Sequence, residues 1–224
     1  MPDIHEGHRE RVKRRFEESG LDSFSDHNIL ELLLFYVVPR RDTNEAAHRL
    51  MERFGSLSAV LDAPVQEISE VVGVGKNAAV YLRLFSQVAR AYFNDKLKEG
   101  IVLDSSDRVG EYLIPKYVGI MHELVLLVCL DSKSKVLSCT AVMEGTINAT
   151  QVSVRKIVET AVRNNAAAVI LSHNHPSGLA IPSRDDIATT MKIQQALALI
   201  SVTLVDHVIV ADNDWVSLRD SSYL

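Results

Sequence analysis

The stretch Ser172-His173-Asn174-His175-Pro176-Ser177-Gly178, with Asp186 eleven positions after the second histidine, constrains this chain more than any other part of it. It follows Ala166-Ala167-Ala168-Val169-Ile170-Leu171, a small and apolar run that predicts a buried strand entering a loop. Side chains one residue apart on an extended backbone share a face, so His173 and His175 project to the same side. Pro176 biases His175 towards the extended region and helps to hold that geometry. Two imidazoles and one carboxylate from a helix start give three nitrogen and oxygen ligands. That count leaves a fourth tetrahedral position open for water, as in a catalytic rather than a structural zinc site.

Each part has an ordinary reading on its own. A His-x-His pair also occurs at strand ends without metal, and Ser183-Arg184-Asp185-Asp186 reads equally as a capping box opening a helix. The complete string, His-x-His, seven residues, Ser, two residues, Asp, resembles the metal signature of the JAMM (MPN+) metallopeptidases. The surrounding His-Asn-His-Pro-Ser-Gly and the later Leu204-Val205-Asp206-His207 resemble the bacterial RadC family more narrowly. The resemblance implies an α/β fold: an N-terminal all-helical domain with a helix-hairpin-helix-like turn, then a mixed-sheet JAMM/MPN domain of cytidine-deaminase-like layering. It also implies that His173, His175 and Asp186 hold Zn2+. In the family's motif Ser183 supports the developing oxyanion, in competition here with a role as helix N-cap. Deaminase chemistry is excluded, because Asn174 and the isolated Cys129 and Cys139 cannot supply that signature's glutamate and paired cysteines.

Hydrolysis by zinc needs a neighbouring base. Glu144, at the end of the segment Val136–Met143 and directly before Gly145-Thr146-Ile147-Asn148, is the expected proton shuttle. Its other reading is an exposed turn residue; Glu159 and Glu123 are alternatives. Asp206 and His207 read either as groups orienting a ligand or as polar residues satisfied in the core. His5 and His8 with Glu6 read as an exposed N-terminal segment.

The N-terminal hundred residues read as helices: 8–18 closed by Gly20, 29–38 capped by Ser25-Asp26, 44–54 between Thr43 and Gly55, then 57–61, 65–71 and 77–93. Val72-Gly73-Val74-Gly75-Lys76, before the last of these, resembles the second hairpin of a helix-hairpin-helix element. The resemblance implies weak DNA contact through Gly73, Gly75 and Lys76; the alternative is an interhelical turn without a ligand. It is not a Walker A loop, since the spacing to Lys76 is wrong and the following Ser/Thr is missing. The second part reads as a helix over 109–116, strands over 124–130 and 136–143, a helix over 153–164, the ligand strand 166–171, a helix over 184–200, and strands over 202–210 and 215–218. The expected division is a helical domain at 1–94, a polar linker at 95–101 and a zinc domain at 102–224.

Charge argues against a general polyanion binder. The net charge is −5, with 14 basic against 16 acidic residues in 1–100 and 10 against 13 in 101–224. Only Arg9, Arg11, Lys13, Arg14 and Arg15, and the pair Arg40-Arg41, are locally basic. No apolar run reaches the roughly 18 residues of a membrane span, and two separated cysteines give no disulfide framework; the expected location is cytoplasmic, with both thiols reduced and buried. The reading is therefore a zinc-dependent peptidase or isopeptidase acting on an unknown protein or peptide. The alternative is a DNA-associated, repair-linked protein with a structural or vestigial metal site. A one-metal nuclease is a third reading, disfavoured by the absence of a two-metal carboxylate cluster.

Overall fold

A computed structural model describes residues 4–39, 41–96, 100–145, 153–176 and 178–224. Arg40, Leu97 of the expected linker, Ser177, the segment Thr146-Ile147-Asn148 and the side chains of His5 and Glu6 lie outside the described residues. The chain divides into two compact units, Met1–Ala89 and Arg90–Leu224.

The first unit is helical, with α1 (Ile4–Ser19), α2 (Asp26–Phe35), α3 (Asn44–Phe54), α4 (Leu57–Asp62), α5 (Val65–Ser69) and most of α6 (Lys76–Lys96). Its core is built from Leu30 and Leu34 of α2, Ala46, Ala47 and Leu50 of α3, and Val60, Ile68, Ala79 and Leu82. The run expected to continue as helix to Val38 stops at Phe35. Pro39 disfavours the helical region for Val38, and a turn replaces the last residues. Gly55, in the left-handed region at φ 84°, ends α3 as expected.

The second unit places one five-stranded sheet between helices. After α7 (Ser106–Tyr117) come β1 (Leu124–Leu130), β2 (Val136–Glu144), α8 (Val154–Arg163), β3 (Ala168–Asn174), α9 (Arg184–Ala198), β4 (Thr203–Ala211) and β5 (Asp214–Ser217). The strand order is β2-β1-β3-β4-β5, with β3 and β4 parallel and the other neighbours antiparallel. β1 and β3, at the centre, are nearly continuous apolar runs because both of their faces are covered. Alternate residues of β1 serve opposite cores. Leu124, Leu126, Val128 and Leu130 join α7 through Val109, Tyr112 and Leu113, whereas Val125, Leu127 and Cys129 join α8 and α9 through Ile157, Ala161, Ile193 and Leu197.

Three expectations are corrected here. β3 begins two residues later than the apolar run and continues through Asn174, so His173 lies inside the strand rather than in a loop. The apolar pattern of the helix expected over 153–164 reads Ile157, Val158, Ala161 and Val162 as inward, but Val162 is 56% exposed and the buried residues are Ile157 and Ala161. Cys129 is buried, but Cys139 is only half-buried. The two belong to adjacent strands and to the two opposite cores, which accounts for their staying free thiols. Among the described residues no helix is long and apolar enough to cross a membrane.

Gly110 lets α7 approach the sheet. A β-carbon there would fall 2.4 Å from Cε2 and Nε1 of Trp215 on β5, so any side chain must displace the indole. Overpacking of this kind costs about 1–3 kcal/mol. Gly110→Ala is expected to lower the denaturant midpoint and to shift the fluorescence of Trp215, the chain's single tryptophan. An unchanged midpoint would show that the helix has room to move away.

Candidate metal centre

The four residues Ser172 to His175 divide their work by strand alternation. Ser172 pairs with Leu126 and points to the α7 core, where its Oγ accepts from the Tyr117 hydroxyl at 2.9 Å. His173 pairs with Val125 and faces α8 and α9. Asn174 returns to the first face: its Oδ1 accepts the Leu124 N–H at 2.7 Å and its amide donates to the His122 carbonyl at 3.1 Å. The middle residue of His-x-His thus fastens the start of β1 to the end of β3. His175, just past the strand, returns to the face of His173. Its backbone N–H donates to the Val210 carbonyl at 2.8 Å, and its Nδ1 lies 3.1 Å from the Leu179 carbonyl. A carbonyl only accepts, so Nδ1 carries the hydrogen and Nε2 presents its lone pair.

The two imidazoles meet through Nε2, 2.9 Å apart. Asp186 reaches them from the first turn of α9, with Oδ1 3.4 Å from His173 Nε2 and Oδ2 3.9 Å from His175 Nε2. Its position depends on a complete capping box. Ser183 Oγ accepts from Asp186 N at 3.1 Å, and Asp186 Oδ2 accepts both the Ser183 N–H at 2.8 Å and the Ser183 hydroxyl at 2.5 Å. One carboxylate oxygen, Oδ2, is therefore held by the helix start, and the other, Oδ1, is directed to His173. Among the described residues these three form the group able to hold a metal ion, with one ligand atom from each all within 4.8 Å.

Burial sets the charge state. The His173 side chain is 7% exposed, and desolvation lowers its pKa to about 4; Asp186 raises it and His175 lowers it by smaller amounts. The ring is neutral at pH 7, as a metal ligand must be. His207, fully buried beside it, is likewise pushed well below the ordinary histidine range by desolvation.

The other expected residues take different places. Ser183 is the N-cap of α9, and its hydroxyl hydrogen is directed at Asp186 in this arrangement. Glu144 ends β2 opposite Leu124 and so belongs to the face away from His173. Its Oε1 lies 2.9 Å from His122 Nε2, and its side chain is 67% exposed. Gly73, at φ 93°, and Gly75 form the turn before α6, with Lys76 exposed at the helix start. Part of the basic cluster of α1 serves the fold: Arg9 donates to the carbonyls of Phe35, Val38 and Arg41, and Arg15 stacks 3.9 Å over Phe24. The clamp made by Asn174 had no separate signal, since its partners lie 50 and 52 residues away.

The unfolded chain protonates His173 near the ordinary value of 6.5, but the folded protein does so only near 4. Its contribution to stability is full above about 6.5 and is lost as pH falls through that window. Thermal unfolding of the metal-free protein should show a steep loss of stability between those values, reduced in His173→Gln. An identical pH profile in that variant would remove His173 as the cause.

Residues 103–223 match the family described as the RadC-like JAB domain. UPF0758 protein FN0909 of Fusobacterium nucleatum subsp. nucleatum is 32% identical over 226 residues, spanning 98% of this chain and 97% of that protein. With the ligand strand, the mixed sheet and both similarities in agreement, the chain belongs to the RadC family of UPF0758 proteins.

Proposed function

We propose that the protein is a zinc-dependent metallohydrolase that cleaves amide or isopeptide bonds. The observation that carries this reading is the convergence of His173 Nε2, His175 Nε2 and a carboxylate oxygen of Asp186 within 4.8 Å at the end of a central strand. The donor set fits a borderline cation: two imidazoles and one carboxylate suit zinc, whereas magnesium prefers an all-oxygen octahedron. Three protein ligands among the described residues also favour a catalytic over a structural site, which would close with a fourth. When bound, zinc supplies Lewis acidity there, acidifying water to about pKa 7 and polarising a carbonyl.

The chain's own residues supply the rest. His173 and His175 hold the cation, and Ser183 steadies Asp186 through its N–H and hydroxyl. For that hydroxyl to donate to an oxyanion instead, it must first leave Asp186 Oδ2. A carboxylate is needed to take the proton of the attacking water and return it to the leaving nitrogen. Glu144 was the expectation, but cross-strand parity favours Glu123. Continuing the alternation of β1 one residue back puts Glu123 on the face of Val125, the residue opposite His173. Its carbonyl accepts the Gly145 N–H at 3.0 Å, and Asn174 fixes the next residue. We therefore assign the proton shuttle to Glu123 and leave Glu144 paired with His122.

Elemental analysis should find about one zinc per chain, lost in a His173→Ala, His175→Ala double variant; full retention in that variant would end the assignment. On a peptide or isopeptide substrate, Glu123→Gln should keep zinc and lose roughly 10²–10⁴-fold in rate. Glu144→Gln should stay within a few-fold of the parent. The reverse ranking would return the role to Glu144. Zinc retained without hydrolysis of any such substrate would favour the DNA-associated alternative.

A further inference from the structure

His207 and Thr190 are buried polar residues with no part in the ligand set, yet they join its two ends. His173 Nδ1 lies 2.8 Å from His207 Nε2, and His207 Nδ1 lies 2.6 Å from Thr190 Oγ1. Thr190 Oγ1 in turn donates to the Asp186 carbonyl at 2.6 Å. All three side chains are buried, with Thr190 0% and His207 3% exposed.

The hydrogens in this chain can be placed from its far end. The Asp186 carbonyl only accepts, so the single hydroxyl hydrogen of Thr190 goes to it. Thr190 then has only lone pairs left for His207, and Nδ1 of that ring must carry the hydrogen. A neutral His207 with hydrogen on Nδ1 has a lone pair on Nε2. That lone pair accepts from His173, so His173 carries its hydrogen on Nδ1 and its lone pair on Nε2. His173 Nε2 is the atom that faces His175 and Asp186. Every hydrogen bond in the series points the same way, and the lone pairs it leaves facing each other, on Nε2 of His173 and of His175, are the two that a cation would share.

His207 reaches this position through an irregularity of the sheet. The β3–β4 register is shifted between Val169 and Ile170: Val169 pairs with Leu204, but Ile170 pairs with Asp206. Val205 is the extra residue of a bulge. Leu204 joins the α8/α9 core, Val205 the α7 core, and beyond the bulge Val208 and Val210 also face α7. Without the inserted residue the parity of β4 would continue unchanged, and His207 would face away from His173. Bulges beside active sites commonly re-aim a side chain in this manner.

We propose that Thr190 and His207 are positioning residues that fix His173 in the Nδ1–H tautomer, so that Nε2 stands ready as a metal ligand. The relay also ties that ligand to the backbone of Asp186, the ligand on the facing helix, and so sets the two at a constant separation. The proposal rests on the metal-hydrolase reading for its purpose but not for its test.

Thr190→Val removes the hydroxyl at nearly constant shape, and Thr190→Ser retains it. Imidazole nitrogen NMR of the metal-free full chain should show His173 with an unprotonated Nε2 in the parent and in Thr190→Ser. Thr190→Val should give a mixture of tautomers. Zinc affinity, measured by competition with a chromophoric chelator, should fall about 10–100-fold in Thr190→Val and recover in Thr190→Ser. An unchanged His173 tautomer in Thr190→Val would overturn the proposal, as would a changed tautomer with unchanged zinc affinity. His207→Gln provides a second variant should Thr190→Val fold poorly. It breaks the same relay, and unaltered zinc affinity there would count equally against the proposal. If the parent holds no zinc, the metal reading fails, while the tautomer populations still decide the relay.

Discussion

The candidate metal centre depends on the parity of the central sheet. β3 is paired along its length with β1 on one side and β4 on the other, and both faces are covered. A slip of one residue would turn every side chain to the opposite face. His173 would enter the apolar core around Leu113 and Tyr117, and Ser172 would take its place beside Asp186. Such a slip is resisted by apolar residues on both sides of the strand and by polar attachments that tolerate only one register. Tyr117 on Ser172 and Asn174 on Leu124 act on the face opposite the ligands, so each polar residue in the motif has a partner that its neighbours cannot use.

The third candidate ligand is placed by a different kind of constraint. Asp186 is the third residue of α9, where a carboxylate both completes a capping box and lies near the positive end of the helix dipole. A free aspartate on a surface helix samples several rotamers. Here Oδ2 takes two hydrogen bonds from Ser183, which leaves Oδ1 pointing at His173. The same residues that would start any helix therefore hold a carboxylate in a fixed orientation beside the two histidines. Burial of the facing imidazole completes the arrangement, because desolvation keeps His173 an uncharged donor.

What the sequence disclosed was what is local. The ligand spacing, the apolar run of β3, the start of α9 and the division into helices and an α/β part all follow from short-range pattern. Features that depend on cross-strand geometry were not legible. The bulge at Val205 leaves no mark on composition, yet it decides whether His207 faces the ligands or the opposite core. The face of Glu144 follows from its pairing with Leu124, and no reading of the segment Val136–Met143 alone could supply that pairing. The choice between Glu123 and Glu144 is thus a question of sheet parity, which a single sequence states only once β1 and β3 are known to be neighbours.

The two histidines are alike in sequence and unlike in support. His173 is inside the strand, 7% exposed at its side chain, and backed by the buried His207. His175 lies beyond the strand, is 22% exposed, and is backed by the carbonyl of Leu179 in the loop leading to α9. That loop also carries Leu179 and Ile181, which are 72% and 61% exposed. The candidate ligands are therefore more open to solvent on the side of His175 than on the side of His173. One imidazole is thus carried by the sheet and the other by the loop beyond it. The division follows from where β3 ends, one residue after the first histidine and one before the second.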